Sequence, residues 1–204
     1  MKMQQLLLLI LFLSYCLLAN AQSFEKINLS ETLAQYLPDY HIQQQIRLNG
    51  EIIDIDFAKT TGEIIVVLDI ESSVVLQFLN PNGTIKWQKE FNKTLTSHCH
   101  ISNNANSVVF SQSYGNENYL IENYVFDNKG TLLFEKKANE AYLRPSPDGN
   151  YFFFYYTLIE RDKTESIEIF DLTGKVVSNF LQDKQLYLNA MKFLDNSLVL
   201  VYYK

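Results

Sequence analysis

Two cysteines in 204 residues exclude a disulfide-stapled scaffold. One of them, Cys16, lies in an apolar leader, and the remaining Cys99 has no partner in the chain. Histidine is nearly as scarce, at three residues. No Gly-x-Ser-x-Gly elbow and no glycine-rich phosphate loop occurs, so neither a nucleophile triad nor a phosphate cradle is supported. Blocks of Lys or Arg are missing and the formal net charge is −6. Nucleic acid rewards basic patches, so it is a poor partner for this chain. The apolar run Leu6 to Leu13 is too short, and wrongly flanked, for a membrane span.

What the start of the chain does carry is a positive head at Lys2, that short apolar body, and Ala19-Asn20-Ala21. This is the pattern of a secretory signal peptide over residues 1–21, with cleavage expected after Ala21. An exported protein follows, periplasmic, cell-surface or extracellular, with no membrane span after cleavage. A lipid anchor on Cys16 is disfavoured because the bulky Tyr15 stands where a small residue is wanted. Cleavage leaves 183 residues and shifts the charge from −6 to −7. That length suits one domain, and the 14% aromatic share points to stability from apolar burial. Residues 22–50 read as a lead segment. Ser30 caps a short helix with Leu29, Leu33, Tyr36 and Leu37 on one face, stopped by Pro38, and Ile42, Gln44, Ile46 and Leu48 lie along one strand of alternating polarity.

From Glu51 the chain repeats. Asn80-Pro81-Asn82-Gly83, Asp127-Asn128-Lys129-Gly130 and Asp171-Leu172-Thr173-Gly174 each open on Asn or Asp and close on Gly, with the glycines 47 and 44 residues apart. An apolar strand precedes each turn and another follows it. A second series of turns keeps step: Thr61-Gly62, Asn104-Ala105-Asn106, Asp148-Gly149-Asn150 and Asp195-Asn196, each before a strongly apolar strand. Two series in phase predict a true structural repeat. The stretch 141–180 shows one whole unit, four short apolar runs separated by turn signals, and therefore a four-stranded antiparallel sheet. Such a sheet has two apolar faces, and stacking it on its neighbours buries both. That explains why Ile64 to Leu68 and Tyr151 to Tyr156 are apolar throughout instead of alternating.

Ser146-Pro147-Asp148-Gly149 followed by an aromatic strand resembles TolB-type and WD-type β-propeller repeats. The Asp/Asn-x-x-Gly-x-apolar-x-Trp/Phe pattern around Gly83 and Gly130 is similar to the outer-strand turn of those propellers and of quinoprotein-type propellers. The matched turn is structural and implies no quinone, and no Trp-Asp pair closes any strand. The resemblance covers roughly residues 51–204. It implies an all-β chain of four-stranded antiparallel blades, about three and a half of them, over residues 51–91, 92–137, 138–180 and the partial 181–204. Three and a half blades imply an incomplete or open ring, with self-association through an exposed blade edge.

Three groups are weighed for chemistry. His98 and His100 flank Cys99 on a strand, so both imidazoles share a face where a metal could sit. The only other histidine, His41, is remote, and ordinary side chains at a strand start are the favoured reading. Asp54 and Asp56 share a face of the innermost strand, opposite Ile53, Ile55 and Phe57. There they line a solvated channel wall in preference to a cation site. The aromatic run Tyr151 to Tyr156 is read as core packing over a sugar platform, with the same choice at Tyr202-Tyr203. No catalytic, cofactor-binding or metal residue is assigned. The function expected is an exported, non-catalytic binding scaffold whose inter-strand loops (Lys59 to Thr61, Ser102 to Asn106, Pro145 to Asn150) meet an envelope protein, peptide or glycan. The alternatives are a gating fragment of a larger peptidase-like hydrolase and a sensor ectodomain.

Overall fold

The computed structural model describes residues 46–114, 120–139, 141–156, 166–181, 187–194 and 197–203. The leader and the expected helix at Ser30 lie outside these residues, as does the turn at Asp195-Asn196. Every described element is a β-strand. The first sheet holds β1 (Glu51–Phe57), β2 (Ile64–Ile70), β3 (Ser73–Leu79) and β4 (Ile85–Asn92). The second holds β5 (Thr96–Ile101), β6 (Ser107–Tyr114), β7 (Leu120–Asp127) and β8 (Leu132–Asn139). The third holds β9 (Ala141–Pro145), β10 (Tyr151–Tyr156), β11 (Ser166–Asp171) and β12 (Val176–Leu181). A two-stranded sheet, β13 (Tyr187–Leu194) with β14 (Ser197–Tyr203), follows. Each four-stranded sheet runs in sequence order with antiparallel neighbours. The described residues are therefore an all-β succession of three four-stranded blades and a two-stranded half blade.

The outer turn has the same backbone frame three times. Gly83, Gly130 and Gly174 donate to the carbonyls of Asn80, Asp127 and Asp171 at 2.8, 3.1 and 3.0 Å. Their φ values are +81°, +80° and +75°, a region closed to most side chains. Beside each turn the register slips by one residue, at Phe78/Leu79, Val125/Phe126 and Ile169/Phe170. This is a tight turn followed by a glycine bulge. In the first, Asn82 Oδ1 accepts from Thr84 N–H at 3.1 Å. In the second and third the opening carboxylate locks it: Asp127 Oδ1 accepts from the N–H groups of Lys129 and Thr131 at 2.9 and 2.8 Å. Asp171 Oδ1 does the same for Thr173 and Lys175.

The same glycines also join the blades. A Cβ on Gly130 would lie 2.9 Å from Cγ of Trp87, and one on Gly174 2.8 Å from Cγ of Phe134. Trp87 and Phe134 each stand four residues after the preceding turn glycine, so the outer strand of one blade seats its aromatic ring on the bare backbone of the next. At Gly83 the seat is filled by Ile46, 2.7 Å from the same hypothetical Cβ. Residues 46–48 form no strand, which corrects the strand expected over Ile42–Leu48 as far as it is described. Ile46 and Leu48 pack onto Ile64, Val66, Leu68, Val75 and Leu79; they cover a sheet face instead of pairing with an edge.

The cores lie between blades. Ile65, Val67, Leu76 and Phe78 of the first meet Cys99, Ile101, Val108, Phe110 and Phe126 of the second. Val109 and Val125 of the second meet Ala141, Leu143, Phe152, Phe154 and Phe170 of the third. Strands β2 and β6 thus bury both faces, as the apolar runs Ile64 to Leu68 and Val108 to Phe110 require. Four buried polar residues in β6 depart from that pattern: Ser111, Gln112 and Ser113 each have a side-chain hydrogen-bond partner, whereas Ser107 Oγ has none among the described residues.

Candidate functional site

The inner strands β1, β5 and β9 carry matching residues at fixed steps: Asp54, His98 and Tyr142 in one row, Asp56, His100 and Arg144 in the next. Strand alternation places the two histidines on one face and buries Cys99 on the other. Each row is a chain of contacts. His98 Nδ1 stands 3.4 Å from Asp54 Oδ2, and its ring meets Tyr142 edge-on at 5.1 Å. His100 Nδ1 stands 3.6 Å from Asp56 Oδ2, and the Arg144 guanidinium contacts both nitrogens of the same ring.

Asp54 and Asp56 do more than line a solvated wall, which corrects the sequence expectation. Their Oδ2 atoms accept from the backbone N–H groups of Cys99 and Ile101, each at 3.0 Å. Two side chains thereby act as a surrogate strand, satisfying alternate amides of β5 across the blade boundary. Burial penalises the Asp54 carboxylate, yet the bonds from His98 and from the N–H groups of Cys99 and Ile55 outweigh it and hold its pKa below the ordinary value. Burial, aided by the nearby Arg144 charge, pushes His100 below the usual imidazole range despite Asp56. Burial together with the two carboxylates raises the Cys99 thiol well above its usual range, so it is an inert core group. Among the described residues no cluster of three or more His, Cys, Asp or Glu side chains is arranged for a metal ion.

At one end of these strands three turns of equal span succeed one another: 58–63, 102–107 and 146–151. Each is closed by the same backbone bond, Ala58 N–H to Glu63 O, Ser102 N–H to Ser107 O, and Ser146 N–H to Tyr151 O. They are also tied together. Thr60 N–H donates to Asn103 O at 2.8 Å and Asn103 N–H to Pro147 O at 2.9 Å, while Asn104 Nδ2 donates to Asp148 O at 2.9 Å. The three loops singled out in the sequence therefore form one continuous ridge. Lys59, Thr60, Thr61, Asn106 and Asn150 are exposed along it. Asp148 is fixed by Ser146 Oγ at 2.5 Å and by Asn150, which holds its carboxyl below the usual pKa against the penalty of burial.

In the aromatic run, Phe152, Phe153 and Phe154 are buried core residues and Tyr151 is 45% exposed. The side chains of Tyr155, Tyr156, Tyr202 and Tyr203 lie outside the described residues. One feature carried no sequence signal: a cleft of about 550 Å³ between the first two blades, lined by Ser72, Ser73, Glu90, Phe91, Asn92, Gln112, Tyr114 and Tyr124. Its residues come from four strands, and only the register brings them together.

No family model matches the sequence, and no curated protein sequence matches it. Among solved structures, one described as the crystal structure of the eukaryotic initiation factor is similar at a TM-score of 0.52 and 16% identity, over 69% of this chain and 35% of that one. The C-terminal WD40 domain of Sif2 is similar at 0.44 and 15%, over 67% and 39%. The β-propeller domain of the Trilobed protease from Pyrococcus furiosus follows at 0.43 and 12%, over 77% and 47%. The chain spans about a third of the length of the first of these. The described four-stranded sheets, each in sequence order and packed face to face on the next, have the fold of an incomplete β-propeller.

Proposed function

We propose that this β-propeller module is an exported binding scaffold without chemistry of its own, and that the ridge of turns 58–63, 102–107 and 146–151 is its contact surface for a partner protein of the cell envelope. The observation that carries the reading is the bonding of each turn to the next. Backbone amides that would otherwise face water are consumed between neighbours, so the ridge is ordered before any partner arrives and little conformational entropy remains to be lost on binding. Its exposed side chains are small and polar, which suits an adaptable hydrogen-bonding rim. The acid–imidazole rows beside it serve as inter-blade ties, since each carboxylate is already engaged by backbone amides.

Photo-crosslinking side chains placed at Thr60, Asn106 or Asn150 in producing cells test the reading, with Gln88 on the outer strand β4 as the control position. A single species captured from the ridge and not from Gln88 is expected. Equal capture from both positions, or none from the ridge, refutes the proposed surface. Hydrolysis of peptide or ester substrates by the purified chain would refute the non-catalytic reading. Amino-terminal sequencing of the processed chain tests export, with Gln22 expected as the first residue.

A further inference from the structure

The boundary between the first two blades is filled by large rings along most of its length. Phe78 and Phe110 are fully buried there, with Phe126 beside them. Strands β2 and β6 leave the ridge at Ile64 and Ser107, and at their far ends the filling stops. Two small side chains, Ser72 and Ser73, stand at the β2–β3 turn, and β6 becomes polar from Ser111 to Ser113. The cleft of about 550 Å³ opens at this place, inside the range of about 300–1,000 Å³ that small-ligand sites occupy.

Its walls are braced and its polar groups are underused. Phe91 packs on Phe110 and on Tyr124, with ring centroids 4.4 and 5.4 Å apart, so one aromatic wall is anchored in the core. Tyr124 donates to Glu122 Oε2 at 2.7 Å, and Glu122 is held in turn by Lys137 at 2.5 Å. Gln112 is fully buried. Its Nε2 is committed to Asn92 O at 3.1 Å, whereas its Oε1 is met by the Tyr114 hydroxyl at 3.4 Å, beyond the ordinary O–H···O length. Tyr114 has one proton to give, and Glu122 competes for it. The Ser73 hydroxyl reaches Ile70 O at 3.5 Å, again a weak bond. A buried amide carbonyl with so poor a donor has room for an O–H or N–H from a ligand.

The same groups narrow the chemistry of that ligand. Among the described residues no Lys or Arg lines the cleft, and the chain carries a net charge of −6, so an anion is disfavoured. A cation finds Glu122 already engaged by Lys137. A wholly apolar molecule would leave the Gln112 carbonyl stranded. A neutral molecule with hydroxyls around its edge and C–H groups on its face satisfies both the amides and the rings.

We propose that this cleft binds a neutral sugar, the end of an oligosaccharide, seated against Tyr114 and Tyr124 with one hydroxyl donating to Gln112 Oε1. The site lies at the end of the blades away from the ridge, so it takes its ligand independently of the protein contact there.

The test is saturation-transfer magnetic resonance on the chain, purified as the cell processes it, with neutral disaccharides of gluco, galacto and manno configuration, each with and without an N-acetyl group. At least one should bind with a dissociation constant of about 1 mM or tighter. Tyr114→Ala should weaken it about tenfold or more, because the ring wall is lost. Tyr114→Phe should bind as well as the parent or better, because the ring stays and the hydroxyl that faces Gln112 Oε1 is gone. Ser72→Trp, an exposed position, should block the mouth and abolish binding, while Thr60→Arg on the ridge should leave it unchanged. The near-ultraviolet spectrum of Trp87 is expected to be the same in all four variants, which separates a lost site from a lost fold. No transfer to any of the disaccharides at about 10 mM, or binding that survives both Tyr114→Ala and Ser72→Trp, overturns the proposal. So does tighter binding of a uronate-containing disaccharide or of an uncharged tripeptide than of every neutral sugar. Loss of ridge crosslinking with sugar binding intact would sink the protein contact alone.

Discussion

Between the first and second blades the inner edge is tied by two partly exposed carboxylates, Asp54 and Asp56, that reach the amides of β5. Between the second and third, where Arg144 also reaches His100, the inner-strand backbone is tied by one fully buried amide. Asn123 accepts from Leu143 N–H at 2.8 Å and Ser111 Oγ at 2.7 Å, and donates to Ala141 O at 3.2 Å. The outer edges differ in the same spirit. Trp87 sits on Gly130 and also donates its indole N–H to Asn128 O at 3.2 Å, whereas Phe134 sits on Gly174 with no donor to offer. The apolar area and the glycine seat recur at both boundaries, while the polar ties do not. A repeat needs its packing geometry preserved, but any donor–acceptor pair that leaves no buried group unsatisfied will close the rest.

The largest effect should come from Asn123→Ala. It strands the N–H of Leu143 and the C=O of Ala141 in the core, and a loss of about 3 kcal/mol in urea unfolding is expected; a loss below about 1 kcal/mol would mean that the amide is not the tie it looks to be. Next come Gly130→Ala and Gly174→Ala, which force a side chain into the left-handed region and against a ring. Each should cost about 2 kcal/mol, and the two should match, because the seats are alike; a large inequality would break the equivalence of the two boundaries. Trp87→Phe makes the first boundary resemble the second. The exposed indole bond is lost together with part of the ring that packs on Phe78 and Phe126, so about 1–1.5 kcal/mol is expected.

Acid should act on the carboxylate rows. Asp54 has its folded pKa below the unfolded 3.8, so its contribution is complete above that value and is lost as pH falls through the lower folded one. His100 is held below 6.5 by burial, so its contribution is complete above 6.5 and is likewise lost as pH falls through its folded value. Stability should therefore decline on acidification. His100→Gln should flatten the limb just below pH 6.5 and Asp54→Asn the limb below pH 3.8, as measured by urea midpoints from pH 7 to 3. Superimposable pH profiles for all three proteins would count against the inter-blade role of the rows.

The smallest effect belongs to Ala105, which adopts φ +58° at the turn position where the third blade places Gly149. Ala105→Gly relieves about 1 kcal/mol of backbone strain. It also removes a methyl group buried in the first core, worth about 0.8 kcal/mol, and enlarges unfolded-state freedom. The terms nearly cancel, and a melting temperature unchanged within error is expected. A clear stabilisation would show that the methyl group packs poorly.

Much of the blade was legible because its signals are local. Gly83, Gly130 and Gly174 had to be turns, since a positive φ after Asn or Asp belongs to the residue types themselves, and the unbroken apolar runs of β2 and β10 required two covered faces. The loops later joined in the ridge were marked by the same turn residues. The partners of Asp54 and Asp56 were not readable, because a carboxylate on a strand looks the same whether water or an amide of the next blade completes it. Asn123, Gln112 and the cleft beside Phe91 were hidden for a related reason: a polar residue in a strand reads as solvent-facing until a register is known.

By itself, then, the sequence determined the period, the turn chemistry and the need of every sheet for a neighbour, all consequences of dihedral preference and apolar burial within a few residues. Only the tertiary structure decided which groups meet across the blade boundaries: carboxylate on amide, indole on glycine, imidazole between Asp56 and Arg144. Those meetings depend on how one sheet is rotated against the next, which is fixed by side-chain packing summed over both faces and is written in no single stretch of chain.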